Sequence, residues 1–227
     1  MNLKYNINYF KKSDLPKFLG ICMLAIGFIC LWLGHGYFSW IIMSVFLPVG
    51  LVLFIYGSSG KASDADIDGC IEMKSMDMEV DLSSDIHYNR RILKGVEPIV
   101  AEGYEYRPGL MLTKAKNGSL RSSEYRRTIV YILSDSLYIT TRLISLVTED
   151  VTNEIVEIPY TDIEKVQLKT EESTLTFGKN SFRAKITVMS VERKNGETFE
   201  CPISDDITSE NEVAKLNGVI SEYKKTL

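Results

Sequence analysis

The sequence lacks every compact signature of catalysis. It holds only two histidines, His35 and His87, widely separated in the chain. Its four cysteines form no Cys-x-x-Cys pair. No Gly-x-Ser-x-Gly elbow, phosphate-cradling glycine loop or His-x-x-x-His occurs. Carboxylates are plentiful but scattered. These absences argue against an enzyme, and no metal or cofactor is expected. The balance of 26 Lys plus Arg against 30 Asp plus Glu, net −4, argues against a nucleic-acid partner.

A further absence locates the chain. Residues 18–60 contain no Asp, Glu, Lys or Arg. Within them, 18–33 reads FLGICMLAIGFICLWL, and 37–56 reads YFSWIIMSVFLPVGLVLFIY. A spanning helix needs about 20 apolar residues, which the second run supplies. The first is slightly short unless Lys17 and the Gly34–Gly36 turn extend it by snorkelling and local thinning. Trp32, Tyr37, Trp40 and Tyr56 sit at the ends, as an interfacial aromatic belt would, and Pro48 is expected to kink the second helix. A cleaved signal peptide is disfavoured, because a second apolar run follows at once and no small-x-small site precedes it.

Orientation follows from the bases. The leader, residues 1–17, carries Lys4, Lys11, Lys12 and Lys17 against Asp14, net +3, whereas the turn carries no Lys or Arg. The positive-inside bias therefore predicts a multi-pass cell-membrane protein with both termini cytoplasmic and the turn outside. Cysteines idle in a reducing cytoplasm fit that placement.

Beyond the membrane run, residues 57–95 read as an acidic-then-basic helical linker. Stretch 62–85 has eight carboxylates against Lys74. A helix is expected over 64–76, with a second short one over 85–93. The rhythm Asp64-x-Asp66-x-Asp68-Gly69 imitates a calcium loop, but Ser75 stands where the bidentate Glu is required. The better reading is a helix start whose carboxylates complement the dipole.

From residue 96 to 227 the pattern is mainly β. Strands are expected over 96–106, 110–114, 128–133, 137–147, 155–158, 163–168, 182–191 and 198–203, with hairpin turns at Asn117-Gly118 and Asn195-Gly196. A closing helix is expected behind a Ser209/Glu212 capping box, with Val213, Leu216, Ile220, Tyr223 and Leu227 as one apolar stripe.

Antiparallel strands closed by one amphipathic helix resemble a pleckstrin-homology-like (PH-like) domain of the bacterial PH and GRAM-like kind. The hairpin Tyr131-Ile132-Leu133-Ser134-Asp135-Ser136-Leu137-Tyr138-Ile139 is similar to one such domains carry. So is the step Ile158-Pro159-Tyr160-Thr161-Asp162-Ile163-Glu164-Lys165-Val166. The resemblance implies a membrane α-hairpin joined to an antiparallel barrel or sandwich, as in a mostly uncharacterised group of bacterial membrane proteins. No ligand signature travels with that fold.

One feature offers a functional handle. Segment 86–127 is net +5, and Lys114, Lys116, Arg121, Arg126 and Arg127 cluster on and beside a hairpin. Anionic headgroups attract such segments by about 1 kcal/mol per base near the surface. Alternatively the hairpin is solvated, or its charges pair with the acidic stretch. The expected role is a membrane-anchored, non-enzymatic binding or scaffolding module engaging a protein partner or the anionic inner leaflet. The alternative is an accessory subunit of a larger membrane complex, docking through its helical hairpin.

Overall fold

The computed structural model describes residues 2–33, 36–76, 78, 88, 91, 93, 96–178, 180–203 and 210–226. They form two compact units, Asn2–Ser63 and Asp64–Leu227. His35, His87, Ser209 and Leu227, and most of the helix expected over 85–93, lie outside the described residues.

The first unit is helical: α1 (Leu3–Lys11), α2 (Leu15–Leu33) and α3 (Tyr37–Ser58). Helices α2 and α3 are each long and apolar enough to cross a membrane. The first begins three residues earlier than its apolar run. Pro16 explains this, since its fixed φ suits a first turn, where its missing N–H costs nothing, and Ser13 Oγ accepts the Leu15 N–H at 3.1 Å. Helix α3 continues through Pro48.

Glycines let the two helices touch backbone to backbone. A Cβ on Gly20 would stand 2.5 Å from Phe54 N and 2.8 Å from Gly50 O; one on Gly50 would stand 2.9 Å from Leu24 N. Neither can be accommodated without separating the helices.

Read only as a charged leader, residues 3–11 instead form α1, which buries Asn6, Tyr9 and Phe10. The segment then caps α3. Lys12 Nζ donates to Tyr56 O at 2.6 Å and Ser59 O at 2.8 Å, and Asn8 Nδ2 donates to Gly60 O at 2.7 Å. A cation on the last carbonyls of a helix satisfies acceptors that have no intrahelical donor and complements the dipole.

The second unit opens with α4 (Asp64–Ser75), so the Asp-x-Asp-x-Asp run is helix rather than loop. Its strands are β1 (Ile99–Tyr104), β2 (Leu112–Lys114), β3 (Leu120–Ser122), β4 (Glu124–Ile132), β5 (Ser136–Ser145), β6 (Val151–Pro159), β7 (Ile163–Phe177), β8 (Asn180–Arg193) and β9 (Thr198–Ile203). Helix α5 (Glu210–Thr226) closes it. The strands make antiparallel sheets ordered β1-β4-β5-β6 and β7-β8-β9, with β2-β3 as a separate ribbon.

The two larger sheets and α5 share one core. Ile99, Val130, Ile139 and Ile158 come from the first sheet, Val166, Met189 and Cys201 from the second, and Val213, Leu216 and Ile220 from the helix. Asn117-Gly118 and Asn195-Gly196 turn the β2-β3 and β8-β9 hairpins, both glycines at φ +86, a conformation cheap only without a Cβ.

The two sequence signatures meet in space. Tyr160, fully buried, donates its hydroxyl to Leu133 O at 2.6 Å, and its N–H bonds Asp135 O at 2.9 Å. Asp135 also holds Arg91 Nη2 at 2.7 Å, and Glu157 takes the same nitrogen at 2.5 Å. Burial would lower the Arg91 pKa, but these bonds to Glu157 and Asp135 outweigh it and raise it.

The main departure is the β7-β8 hairpin. Separate short strands are expected over 163–168 and 182–191, whereas the two pair from Ile163↔Arg193 out to Phe177↔Asn180. In its outer half Glu171, Glu172, Thr174 and Thr176 of β7 are exposed, with Ser173, Leu175 and Phe177 only half-buried between them. Cross-strand pairing rather than burial makes it a strand, as in the 3.1 Å hydroxyl contact of Thr170 with Thr187.

Candidate interaction cleft

The five expected site residues divide into two groups. Lys114 on β2, Arg121 on β3 and Arg127 on β4 line one cleft of about 690 Å³. Arg126 lines a separate cleft of about 360 Å³, because successive residues of a strand point to opposite faces. Lys116 is exposed beside the β2-β3 turn, and its backbone N–H bonds Asp64 Oδ2 at 3.0 Å.

Most of this basic charge is spent inside the domain. Arg121 Nη1 lies 2.8 Å from Asp68 Oδ1. Arg126 Nε lies 2.6 Å from Glu105 Oε1, an ion pair rather than an aligned hydrogen bond, while its Nη1 donates to Glu200 O at 3.0 Å. Arg127 Nε lies 3.5 Å from Glu102 Oε2. The acidic helix is thus docked on the basic hairpin. At its other end, Lys74 Nζ donates to Ser145 O and Thr148 O, both at 2.7 Å, and Arg142 Nη1 donates to Met76 O at 2.7 Å.

The larger cleft runs between α4, the β2-β3 ribbon, β1, β4 and the outer half of β8. Sequence reasoning missed Arg183 and Lys185, which add two exposed cations to its wall. Their signal was present in the alternation of 182–191, but nothing placed that strand opposite the ribbon. With Lys114, Arg121 and Arg127 they outnumber Asp68, Glu72 and Glu102 by five to three.

Three tyrosines add ring surface to the aliphatic lining of Ile71, Ile186 and Ile203. Tyr104 meets Tyr125 edge-on at 5.2 Å between ring centroids, and the Arg121 guanidinium lies 5.8 Å from the Tyr104 ring. Tyr106 donates its hydroxyl to Leu120 O at 2.7 Å. The Tyr104 hydroxyl is buried with no hydrogen-bond partner among the described residues. Burial raises the pKa of Tyr104 and Tyr125, and pushes Tyr106 up to about 12. All three therefore remain neutral donors at physiological pH.

The cleft thus presents cations, aromatic ring faces and neutral hydroxyls side by side. Among the described residues no group of three His, Cys, Asp or Glu side chains is placed to hold a metal ion. Compared with family models, curated proteins and solved structures, the chain matches none.

Proposed function

We propose that this chain is a membrane-anchored, non-enzymatic binding module whose PH-like domain engages a protein partner. The anchor reading is supported by the outward faces of α2 and α3. Phe18, Phe28, Trp32, Tyr37, Trp40, Val52 and Tyr56 are each at least 60% exposed, an apolar surface that water does not tolerate and hydrocarbon does. Tyr5 O accepts the Ala62 N–H at 3.1 Å, bringing the start and end of the helical unit together. With the leader charge, that supports a cell-membrane protein with both flanks cytoplasmic. The four-plus-three strand arrangement with one closing helix, and the meeting of Asp135 with Tyr160, support the PH-like reading.

The cleft is the observation that carries the binding role. Protein rather than leaflet is favoured because Arg121, Arg126 and Arg127 already face carboxylates. The exposed cations Lys114, Lys116, Arg183 and Lys185 would add about 4 kcal/mol of attraction to an anionic surface, but such a surface makes no use of the tyrosine rings that line the same cleft. A segment presenting carboxylates beside aliphatic or aromatic side chains suits Lys114, Arg183 and Lys185 above the tyrosine rings. The accessory-subunit alternative gains little, since Gly20 and Gly50 are consumed within the hairpin and cannot also serve another helix.

Photo-cross-linkers replacing Lys114 or Lys185 in the full chain, in native membranes, test this reading. A protein adduct of defined mass at both positions, absent when the cross-linker replaces exposed Glu164, supports it. Adducts to lipid alone, or equal yields at Glu164, overturn it.

A further inference from the structure

The two outer edges on the β6 and β7 side of the sheets are treated differently. At the start of β7 the closing helix covers the edge: Asn217 Nδ2 donates to Val166 O at 2.7 Å, its Oδ1 accepts the Val166 N–H at 3.3 Å, and Lys224 Nζ donates to Ile163 O at 2.6 Å; farther out, Glu171 and Glu172 place charge on that strand. At β6 nothing among the described residues covers the edge in this way. The strand pairs with β5 alone and ends its sheet. Residues 151–155 are exposed in succession, including Val151 at 39% and Ile155 at 59%. An exposed, partly apolar edge is a template for another strand.

The bonding phase of that edge is readable. Ser145 N–H donates to Asp150 O at 3.1 Å across the β5-β6 turn. With the β5-β6 register, even-numbered residues of β6 bond β5, and Val151, Asn153, Ile155 and Glu157 turn their N–H and C=O groups outward. Pro159, which has no N–H, falls at the next outward position, where proline is tolerated.

We infer that β6 pairs antiparallel with β6 of a second copy of this chain, centred on Asn153. A two-fold axis through the edge must set odd residues opposite odd ones, so few registers exist. Centred on Asn153, Val151 faces Ile155 twice, Asn153 faces itself and Thr152 faces Glu154. The apolar residues meet, no like charges oppose within 151–155, and about six backbone bonds form. One step toward Glu154 sets that carboxylate against itself and Val151 against Glu157. One step toward Thr152 sets Ile155 against Glu149. In the chosen register Glu149 faces Glu157 only at the ends, where Arg91 and Ser136 hold the Glu157 carboxylate at 2.5 and 2.9 Å. The self-complementarity of the exposed stretch thus selects a second copy as occupant.

A contact of this length is small beside a standard stable interface, so the pair is trapped covalently. Single cysteines are placed at 152, 153, 154 and 155 in the full chain in detergent, under mild oxidation, with the parent as baseline for its native cysteines. Opposed Cα atoms in a bonded antiparallel pair lie about 5.5 Å apart, within the roughly 4.4–6.8 Å of a disulfide. Asn153→Cys should give disulfide dimer several-fold above the parent and above the other three positions, and adding Ile155→Lys should return the yield to baseline. Val151→Cys with Ile155→Cys in one chain should also give dimer, independently of Asn153. A yield at 153 and in this pair no higher than the parent's, a maximum elsewhere, equal yields everywhere, indifference to Ile155→Lys, or a disulfide to another protein instead of a second copy would overturn the inference.

Discussion

Replacing Leu216 with Ala should lower the stability of the β unit without touching the helical one. Leu216 is fully buried on α5 and lies in the cluster that unites both sheets. Val213 and Ile220, 6% and 4% exposed, flank it on the same stripe. Truncating a buried leucine costs about 2–5 kcal/mol, the upper part of that range where the surroundings cannot collapse. Two sheets meeting one helix form such a site, because each is held by its own ladder. For a domain of this size each kcal/mol moves the melting midpoint by about 2–4 °C, so a loss of about 4–5 kcal/mol means a fall of about 8–20 °C. Both tryptophans, Trp32 and Trp40, lie in the helical unit, so tryptophan fluorescence would report the wrong part. The β signal in far-ultraviolet circular dichroism, followed on the full chain in detergent, is the suitable readout. Lys215→Ala, at an exposed neighbour, should leave the midpoint in place. An unchanged midpoint for Leu216→Ala would refute the packing account and recast the stripe as a docking face.

Gly50→Leu should separate α2 from α3, because its Cβ alone would press within 2.9 Å of Leu24 N; proximity cross-linking between the two helices should fall, and an unaltered yield would contradict the backbone contact. Cys201, fully buried with its thiol pushed up to about 12 by burial, should resist alkylation at pH 8 until the chain is unfolded, when mass spectrometry should show full modification; rapid modification of the native chain would count against the core. Burial raises the Glu105 pKa despite Arg126 nearby. Folding therefore takes up a proton between the ordinary and raised values, and stability should fall as pH rises through that acidic window. Glu105→Gln should flatten that dependence in pH-resolved melts, and an identical slope in the variant would remove Glu105 from the explanation.

Much of the architecture was legible because it rests on local rules. A stretch of 43 residues without a charge (18–60) can be read by counting, and an Asn-Gly pair demands a positive φ wherever it stands. The spacing of Val213, Leu216 and Ile220 announced the buried face of α5 before any sheet was known. What stayed hidden depends on distant partners. Helix α1 exists because Tyr9 and Phe10 are buried and Asn8 and Lys12 reach the end of α3. In the outer half of β7 the alternation of Leu175 and Phe177 with Thr174 and Thr176 is short and only half-buried, and pairing with β8 extends the strand there. In the cleft, Lys114, Arg121 and Arg127 stood out as a basic run, yet their carboxylate neighbours are set by tertiary docking. Asp68 is 53 positions from Arg121 along the chain, and no periodicity links them. Arg183 and Lys185 joined the site only because the hairpin is long enough to reach it.

The most direct test of a membrane anchor carrying a cytoplasmic binding domain is cysteine accessibility in intact cells expressing the full chain. Tyr37→Cys, at the start of α3, and Glu210→Cys, at the start of α5, are probed with a membrane-impermeant maleimide, with the parent as control for the native thiols. The account predicts labelling of Tyr37→Cys from outside, and labelling of Glu210→Cys only after the membrane is opened. Labelling of Glu210→Cys in sealed cells, or release of the chain from membranes by alkaline carbonate, would contradict it.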